Sequence, residues 1–157
     1  MGAKEFDYYL FIDYSEAYLG YLIIEGKRLN EFLPKISKFS HYRELKHKKA
    51  YINSINKIVD NYNICSNFCK LKIRKNEATP EIYSDILDFL KKNSNSSVFV
   101  CVDNKQFINF KKLVNIFDGN NIKVIKESEL REYTAEYKLS LVLDTLLNLT
   151  RLKNAKF

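Results

Sequence analysis

Glycine and proline are scarce in this sequence, with 4 and 2 residues among 157. So few of either residue leaves no flexible linker and no low-complexity tract, and we expect one domain that spans residues 1–157. The scarcity of glycine also argues against an actin-like phosphotransferase, because the phosphate-binding loops of such an enzyme are rich in glycine.

Cysteine and histidine are also few. The three cysteines, at positions 65, 69 and 101, form no CxxC pair, and only His41 and His47 could join them in a zinc site. This pattern favours reduced cysteines that pack as small hydrophobic residues. It argues against a closed Cys/His zinc site, and against a thiol or zinc hydrolase, because the histidine partners are missing.

Long hydrophobic runs are absent as well. No apolar segment reaches the length that a bilayer requires, and charged residues interrupt the N-terminus early. We therefore expect a soluble, cytoplasmic protein that does not enter a membrane.

Three apolar runs are present, and each carries a single aspartate. Asp13 ends the run at 8–13, Asp103 ends the run at 98–103, and Asp144 lies inside the run at 139–147. A carboxylate in such a run loses hydration, and a bound metal ion is one way to offset that cost. Structural roles remain open: Asp13 or Asp103 could cap the turn or helix that follows, and Arg151 could pair with Asp144 on one helical face.

The order of elements predicts an α/β fold. Strands are predicted over 6–13, 17–25, 28–33, 67–74, 98–103 and 122–125, and helices over 45–62, 79–92, 106–117 and 133–152. An antiparallel three-strand meander followed by alternating helices and strands implies a mixed sheet with helices packed on it. This is the layout expected of a ribonuclease H-like domain with one additional βα unit.

Positive charge is concentrated in residues 27–49. The whole chain carries a net charge of +7, and this segment carries +6, from eight basic and two acidic residues. Such a patch is the usual electrostatic footprint of nucleic-acid binding, although a solvated lysine-rich face would look the same. The residues predicted to contact nucleic acid are Lys38, Arg43, Lys46, Lys48 and Lys49.

Several motifs resemble, in the same order, those of a family of uncharacterised proteins with a ribonuclease H-like fold. The family is known only as a domain of unknown function and is expected to consist of nucleases. The similar stretches are the Phe-Ile-Asp strand at 9–15, Glu44-Leu45-Lys46, the helix at 81–87, the strand ending at Asp103, Ser128, and the leucine-rich turn before Asp144. The chain departs from the family at Tyr14, Leu141 and Leu143.

The resemblance implies a metal-dependent nuclease that hydrolyses phosphodiester bonds of RNA or DNA by a two-metal-ion mechanism. The implied catalytic and metal-binding residues are Asp13, Glu44, Asp103 and Asp144, with Mg²⁺ or Mn²⁺ as the cofactor. Lys46 would neutralise a phosphate oxygen, and Ser128 would orient a ligand. The alternative is a non-catalytic nucleic-acid-binding domain, or a partner subunit, on the same fold with an incomplete acidic cluster.

Overall fold

The computed structural model describes residues 6–15, 17–40, 42–63, 69–93, 96–101, 108, 110–112, 123–132 and 134–154. Within these residues there are five strands, β1 Tyr8–Ser15, β2 Tyr18–Glu25, β3 Cys69–Lys75, β4 Ser96–Cys101 and β5 Lys123–Lys126. They form one sheet in the order β3-β2-β1-β4-β5.

The sheet is mixed, and β1 is its central strand. β2 pairs antiparallel with both β1 and β3, whereas β4 runs parallel to both β1 and β5. Side chains alternate along β1: Tyr9 and Phe11 belong to one hydrophobic cluster, and Leu10 and Ile12 to the other. A strand that is covered on both faces can be apolar without interruption, which explains the composition of this segment.

Helices cover both faces of the sheet. They are α1 Leu29–Phe32, α2 Lys48–Tyr62, α3 Thr79–Lys92 and α4 Ala135–Asn154, and residues 108 and 110–112 are also helical. Short 3₁₀ helices cover Gly26–Arg28, Leu33–Ile36, Tyr42–Glu44, Asn76–Ala78 and Glu127–Glu129. Among the helices described here, none combines the length and apolar character that crossing a membrane would require.

The two faces carry different helices. On one face, α4 packs against β1 and β2, and α1 and α2 add Phe32 and Ile55 to the same cluster. On the other face, α3 contributes Ile82, Ile86 and Leu90. Every residue of α4 from Leu139 to Leu149 is buried except Asp144, which is half-buried. A helix buried nearly all round is the centre of its layer, which accounts for its leucine-rich sequence.

The predicted fold class is confirmed, but the predicted strand at 28–33 is wrong. This segment is helical, and the third strand of the antiparallel meander is β3. The physical reason is the spacing of Leu29, Phe32, Leu33 and Ile36, which recur at helical steps of three and four residues and pack together against the core.

The other predicted elements are present with shifted bounds. The helix predicted at 79–92 is confirmed as α3, and those at 45–62 and 133–152 correspond to α2 and α4. The strands predicted at 6–13, 17–25, 67–74, 98–103 and 122–125 correspond to β1 to β5 in chain order. Residues 67–68, 102–103 and most of the helix predicted at 106–117 lie outside the described residues.

Gly20 allows β3 to approach β2 closely. It lies in the middle of β2, opposite Asp13 on β1 and Ile73 on β3. A Cβ atom at this position would lie 2.7 Å from the Lys72 carbonyl oxygen and 2.9 Å from Ile73 Cγ1. Both distances are shorter than carbon atoms tolerate, so a glycine in an otherwise apolar strand has a packing reason here.

We therefore expect Gly20→Ala to destabilise the protein. Separating β2 from β3 by the needed distance should cost about 1–3 kcal/mol, because the contact is with backbone and cannot be relieved by a side-chain rotation. Thermal unfolding followed by circular dichroism measures the loss. Ser84→Thr, which adds a methyl group to an exposed residue of α3, is the control. Equal melting temperatures for the two variants would contradict the packing argument.

Candidate functional site

Asp13 faces the α4 side of the sheet. Because side chains alternate along a strand, Asp13 shares this face with Phe11 and Ser15. Only 8% of Asp13 is exposed, and its Oδ1 accepts a hydrogen bond from the Tyr14 backbone N–H at 2.8 Å. Asp13 is therefore a buried carboxylate near the end of the central strand, on the face that α4 covers.

Tyr14, where the sequence departs from the similar family, points to the opposite face. Its hydroxyl lies 2.6 Å from that of Tyr83 on α3. The tyrosine at position 14 therefore affects packing on the α3 side of the sheet, which is opposite the α4 side where Asp13 lies.

A polar stripe runs along α4 through this otherwise apolar layer. It consists of Asp144, Asn148 and Arg151, which share one side of the helix because they are four and three residues apart. Asn148 Oδ1 accepts hydrogen bonds from Ser15 Oγ at 3.3 Å and Arg151 Nη2 at 3.0 Å, and its Nδ2 donates to the Asp144 carbonyl at 2.9 Å. These bonds connect the end of β1 to the stripe.

The 3₁₀ helix Tyr42–Glu44, named here the Tyr42 turn, lies against this stripe. The Tyr42 backbone N–H donates to Asp144 Oδ2 at 3.2 Å. Asp144 Oδ1 accepts no hydrogen bond from any residue in the described part of the chain. The turn therefore orients the Asp144 carboxylate and leaves one of its oxygens able to bind another group.

Tyr51 of α2 holds the chain just before the Tyr42 turn. Its hydroxyl accepts from the Ser40 N–H at 2.9 Å, lies 3.1 Å from the Ser40 carbonyl oxygen, and lies 2.8 Å from Thr145 Oγ1 on α4. Burial raises the pKa of this hydroxyl. One phenol thus ties α2 and the segment before the turn to α4.

The structure places three of the four predicted acidic residues around this layer. Asp13 and Asp144 face it from β1 and α4, and Glu44 lies in the Tyr42 turn with an exposed side chain. Asp103 lies outside the described residues, but Cys101, two residues earlier, pairs with Asp13 across β1 and β4. Counting only described residues, no three His, Cys, Asp or Glu side chains form a metal-binding group.

The predicted basic residues lie next to the Tyr42 turn. Lys38, Lys46, Lys48 and Lys49 are exposed. Arg43 lies within the turn itself, and its side chain is outside the described atoms. Lys46, Lys48 and Lys49 line an open depression at the N-terminus of α2, whose first turn contains no acidic residue. Ser128 is exposed in the 3₁₀ helix Glu127–Glu129.

Sequence reasoning missed several polar residues of the site: Ser15, Tyr42 and Tyr51. Asn148 and Arg151 had a signal, because their helical spacing from Asp144 is visible in the sequence. No sequence pattern could have identified Tyr42, because it contributes a backbone N–H, which every residue except proline carries.

Two solved structures share this fold. The ribonuclease HII of Archaeoglobus fulgidus, solved as a complex with PCNA, superposes with a TM-score of 0.52 and 13% identity over 95% of this chain and 73% of that chain. The ribonuclease H2 of Pyrococcus horikoshii OT3 gives a TM-score of 0.52 and 14% identity over 95% and 74%. The chain therefore has a ribonuclease H-like fold.

No family model and no curated protein matches the sequence. The resemblance to the family of unknown function therefore stays a prediction, and so do the roles of the four acidic residues.

We expect Tyr51→Phe to destabilise the protein by about 1–3 kcal/mol, because the Ser40 N–H loses its partner and the Thr145 hydroxyl keeps only a 3.5 Å hydrogen bond to the Ser40 carbonyl. Urea denaturation measures the difference. Tyr8→Phe is the matched control, since the Tyr8 hydroxyl makes no hydrogen bond to the described residues. A loss no larger than that of Tyr8→Phe would show that the Tyr51 hydroxyl is not a structural link.

The same comparison has a pH dependence. Because the pKa of Tyr51 is raised in the folded protein, its contribution is fully present below the ordinary tyrosine pKa of about 10. It is lost as the pH rises from that value through the raised pKa. The stability difference between the wild type and Tyr51→Phe should therefore shrink above about pH 10. A constant difference would contradict the burial of this hydroxyl.

Proposed function

We propose that this chain is a metal-dependent nuclease that hydrolyses phosphodiester bonds in RNA or DNA. The observation that carries the proposal is the position of Asp13 and Asp144. They are 131 residues apart in sequence, yet both face the layer between β1 and α4 of a ribonuclease H-like sheet, beside a polar stripe. A buried carboxylate is costly unless hydrogen bonds, a cation or a proton offset its charge, and a divalent cation is the partner that we propose here.

The donor set fits Mg²⁺ or Mn²⁺. These ions prefer oxygen ligands, and Mg²⁺ is usually held by one or two carboxylates together with water and substrate phosphates. We propose Asp13 and Asp144 as ligands from the α4 side, with Glu44 and Asp103 completing the set. When bound, such ions activate a water molecule and stabilise the leaving oxygen of a phosphodiester.

The chain's own residues have two further roles in this proposal. The Tyr42 N–H fixes one oxygen of Asp144, so the other points away from that bond. The exposed lysines at 38, 46, 48 and 49, with Arg43, attract the phosphate backbone and hold it beside the Tyr42 turn. The preferred partner is therefore a polyanion, and Lys46 is the candidate for neutralising a phosphate oxygen.

Two observations favour the alternative function. Glu44 is exposed, and the described residues alone contain no three-ligand metal group. A non-catalytic nucleic-acid-binding domain on the same fold would keep the basic surface and would bind RNA or DNA without cleaving it.

We expect the wild type to cleave at least one of four labelled substrates when Mg²⁺ or Mn²⁺ is added: single- or double-stranded DNA, single-stranded RNA, or an RNA–DNA hybrid. Asp13→Asn should reduce cleavage by about a hundredfold or more, because the substitution removes one charge from the site. Gel electrophoresis of the products measures the rate, and excess EDTA should abolish it.

Asp60→Asn is the matched control, because it makes the same chemical change at an exposed position of α2. It should cleave at the wild-type rate. A wild type that binds these substrates but cleaves none of them would leave the binding domain as the function. Equal activity of Asp13→Asn and the wild type would remove Asp13 from the reaction.

A further inference from the structure

Asn148 is a buried amide in the leucine-rich part of α4. Only 6% of it is exposed, and its neighbours Leu147 and Leu149 belong to the hydrophobic core. Asparagine is a weak helix former, and a buried amide loses hydration unless its donors and acceptors are paired. A leucine would suit the pattern of α4 better, so the reason for an asparagine here lies in its contacts.

The Asn148 amide is held in one orientation. Its Oδ1 accepts hydrogen bonds from Ser15 Oγ at 3.3 Å and from Arg151 Nη2 at 3.0 Å, and its Nδ2 donates to the Asp144 carbonyl at 2.9 Å. Because an arginine side chain can only donate, the amide oxygen faces Arg151 and the amide nitrogen faces the carbonyl. The same oxygen is thereby available to the Ser15 hydroxyl at the end of β1.

The bond between Ser15 and Asn148 joins two positions that are each close to a carboxylate-bearing residue. Asp13 precedes Ser15 by two residues on the same face of β1, about 7 Å along the strand. Asp144 precedes Asn148 by four residues on the same side of α4, about 6 Å along the helix. One hydrogen bond thus ties the end of β1 that carries Asp13 to the turn of α4 that carries Asp144.

The placement of carboxylates decides which divalent cation they can hold well. Mg²⁺ demands nearly ideal octahedral geometry with oxygen ligands at about 2.0–2.1 Å, whereas Ca²⁺ accepts six to eight oxygens at about 2.3–2.6 Å in a flexible arrangement. A small shift of α4 on β1 would therefore weaken Mg²⁺ binding more than Ca²⁺ binding. Residues that hold metal ligands in place typically account for about a tenfold to hundredfold change in metal affinity.

We propose that Asn148 is a positioning residue of the metal site. Through its bonds to Ser15 and to the Asp144 carbonyl, it sets how the turn that carries Asp144 lies against the end of β1 that carries Asp13. The metal site itself rests on the proposed function, whereas the bonds of Asn148 do not. The role goes beyond stabilising α4, because it makes the preference for Mg²⁺ over Ca²⁺ depend on one amide.

Metal binding without nucleic acid tests the proposal. Isothermal titration calorimetry with MgCl₂ and with CaCl₂ measures the affinities of the wild type, Ser15→Ala and Asn148→Leu. Each variant should bind Mg²⁺ about tenfold more weakly, and each should change Ca²⁺ affinity by no more than about twofold. Because both substitutions break the same bond, the double variant should bind Mg²⁺ no more weakly than Asn148→Leu alone.

Thr150→Val is the matched control. It removes a hydrogen bond of the same kind, from Thr150 Oγ1 to the Leu146 carbonyl four residues earlier at 3.0 Å. Thr150 lies on another side of α4 from Asn148, since the two are two residues apart. Its affinities for both ions should equal those of the wild type. If Asn148→Leu fails to fold, Ser15→Ala carries the test, because it removes one hydroxyl and leaves the bonds of Asn148 within α4 in place.

The outcomes separate this proposal from the proposed function. Ser15→Ala and Asn148→Leu proteins that melt at lower temperature but bind Mg²⁺ as tightly as Thr150→Val would overturn the positioning role alone. Equal losses of Mg²⁺ and Ca²⁺ affinity would also overturn it, because the geometry of the site would then not be what changed. The predicted loss of Mg²⁺ preference in a protein that cleaves nothing would support the positioning role and contradict the nuclease. A wild type that binds neither ion would overturn both.

Discussion

The layer between β1 and α4 is the constraint on which the rest of the structure depends. Helix α4 is buried nearly all round, so every polar group in it needs a partner inside the protein. Asn148 finds its partners in Ser15 and Arg151, Thr145 in Tyr51, and Asp144 in Tyr42. Satisfying these groups fixes where the Tyr42 turn lies and how α2 packs, and it brings the basic surface next to the half-buried Asp144 carboxylate.

Much of the fold could be predicted because its central elements carry strong local signals. The unbroken apolar run of β1 and the leucine-rich sequence of α4 reflect burial on all sides, and a Thr-Pro-Glu start marks α3. The strand prediction at 28–33 was wrong because the Glu25-Gly26-Lys27 sequence suggested a hairpin turn. The helical spacing of Leu29, Phe32 and Ile36 was the stronger signal, since it extends over a longer stretch.

The site could be predicted only in part, and the reason is sequence separation. Asp13 and Asp144 were candidates for the site because each is a charged residue in an apolar run. Arg151 was visible because it lies on the same helical face as Asp144. The contact between the Tyr42 N–H and Asp144 spans 102 residues and involves a backbone group. Neither the pairing of Tyr51 with Ser40 and Thr145 nor that of Ser15 with Asn148 has a local pattern.

The central claim is that Asp13 belongs to a group of carboxylates that binds a divalent cation. Thermal unfolding of the wild type and of Asp13→Asn, each with and without Mg²⁺ or Mn²⁺, tests it most directly. Metal should stabilise the wild type by mass action, by about 2.7 kcal/mol at a hundred times the dissociation constant. Without metal, Asp13→Asn should melt higher than the wild type, because one repelling charge is gone. A wild type indifferent to both ions, together with a destabilised Asp13→Asn, would contradict the account and make Asp13 a structural residue.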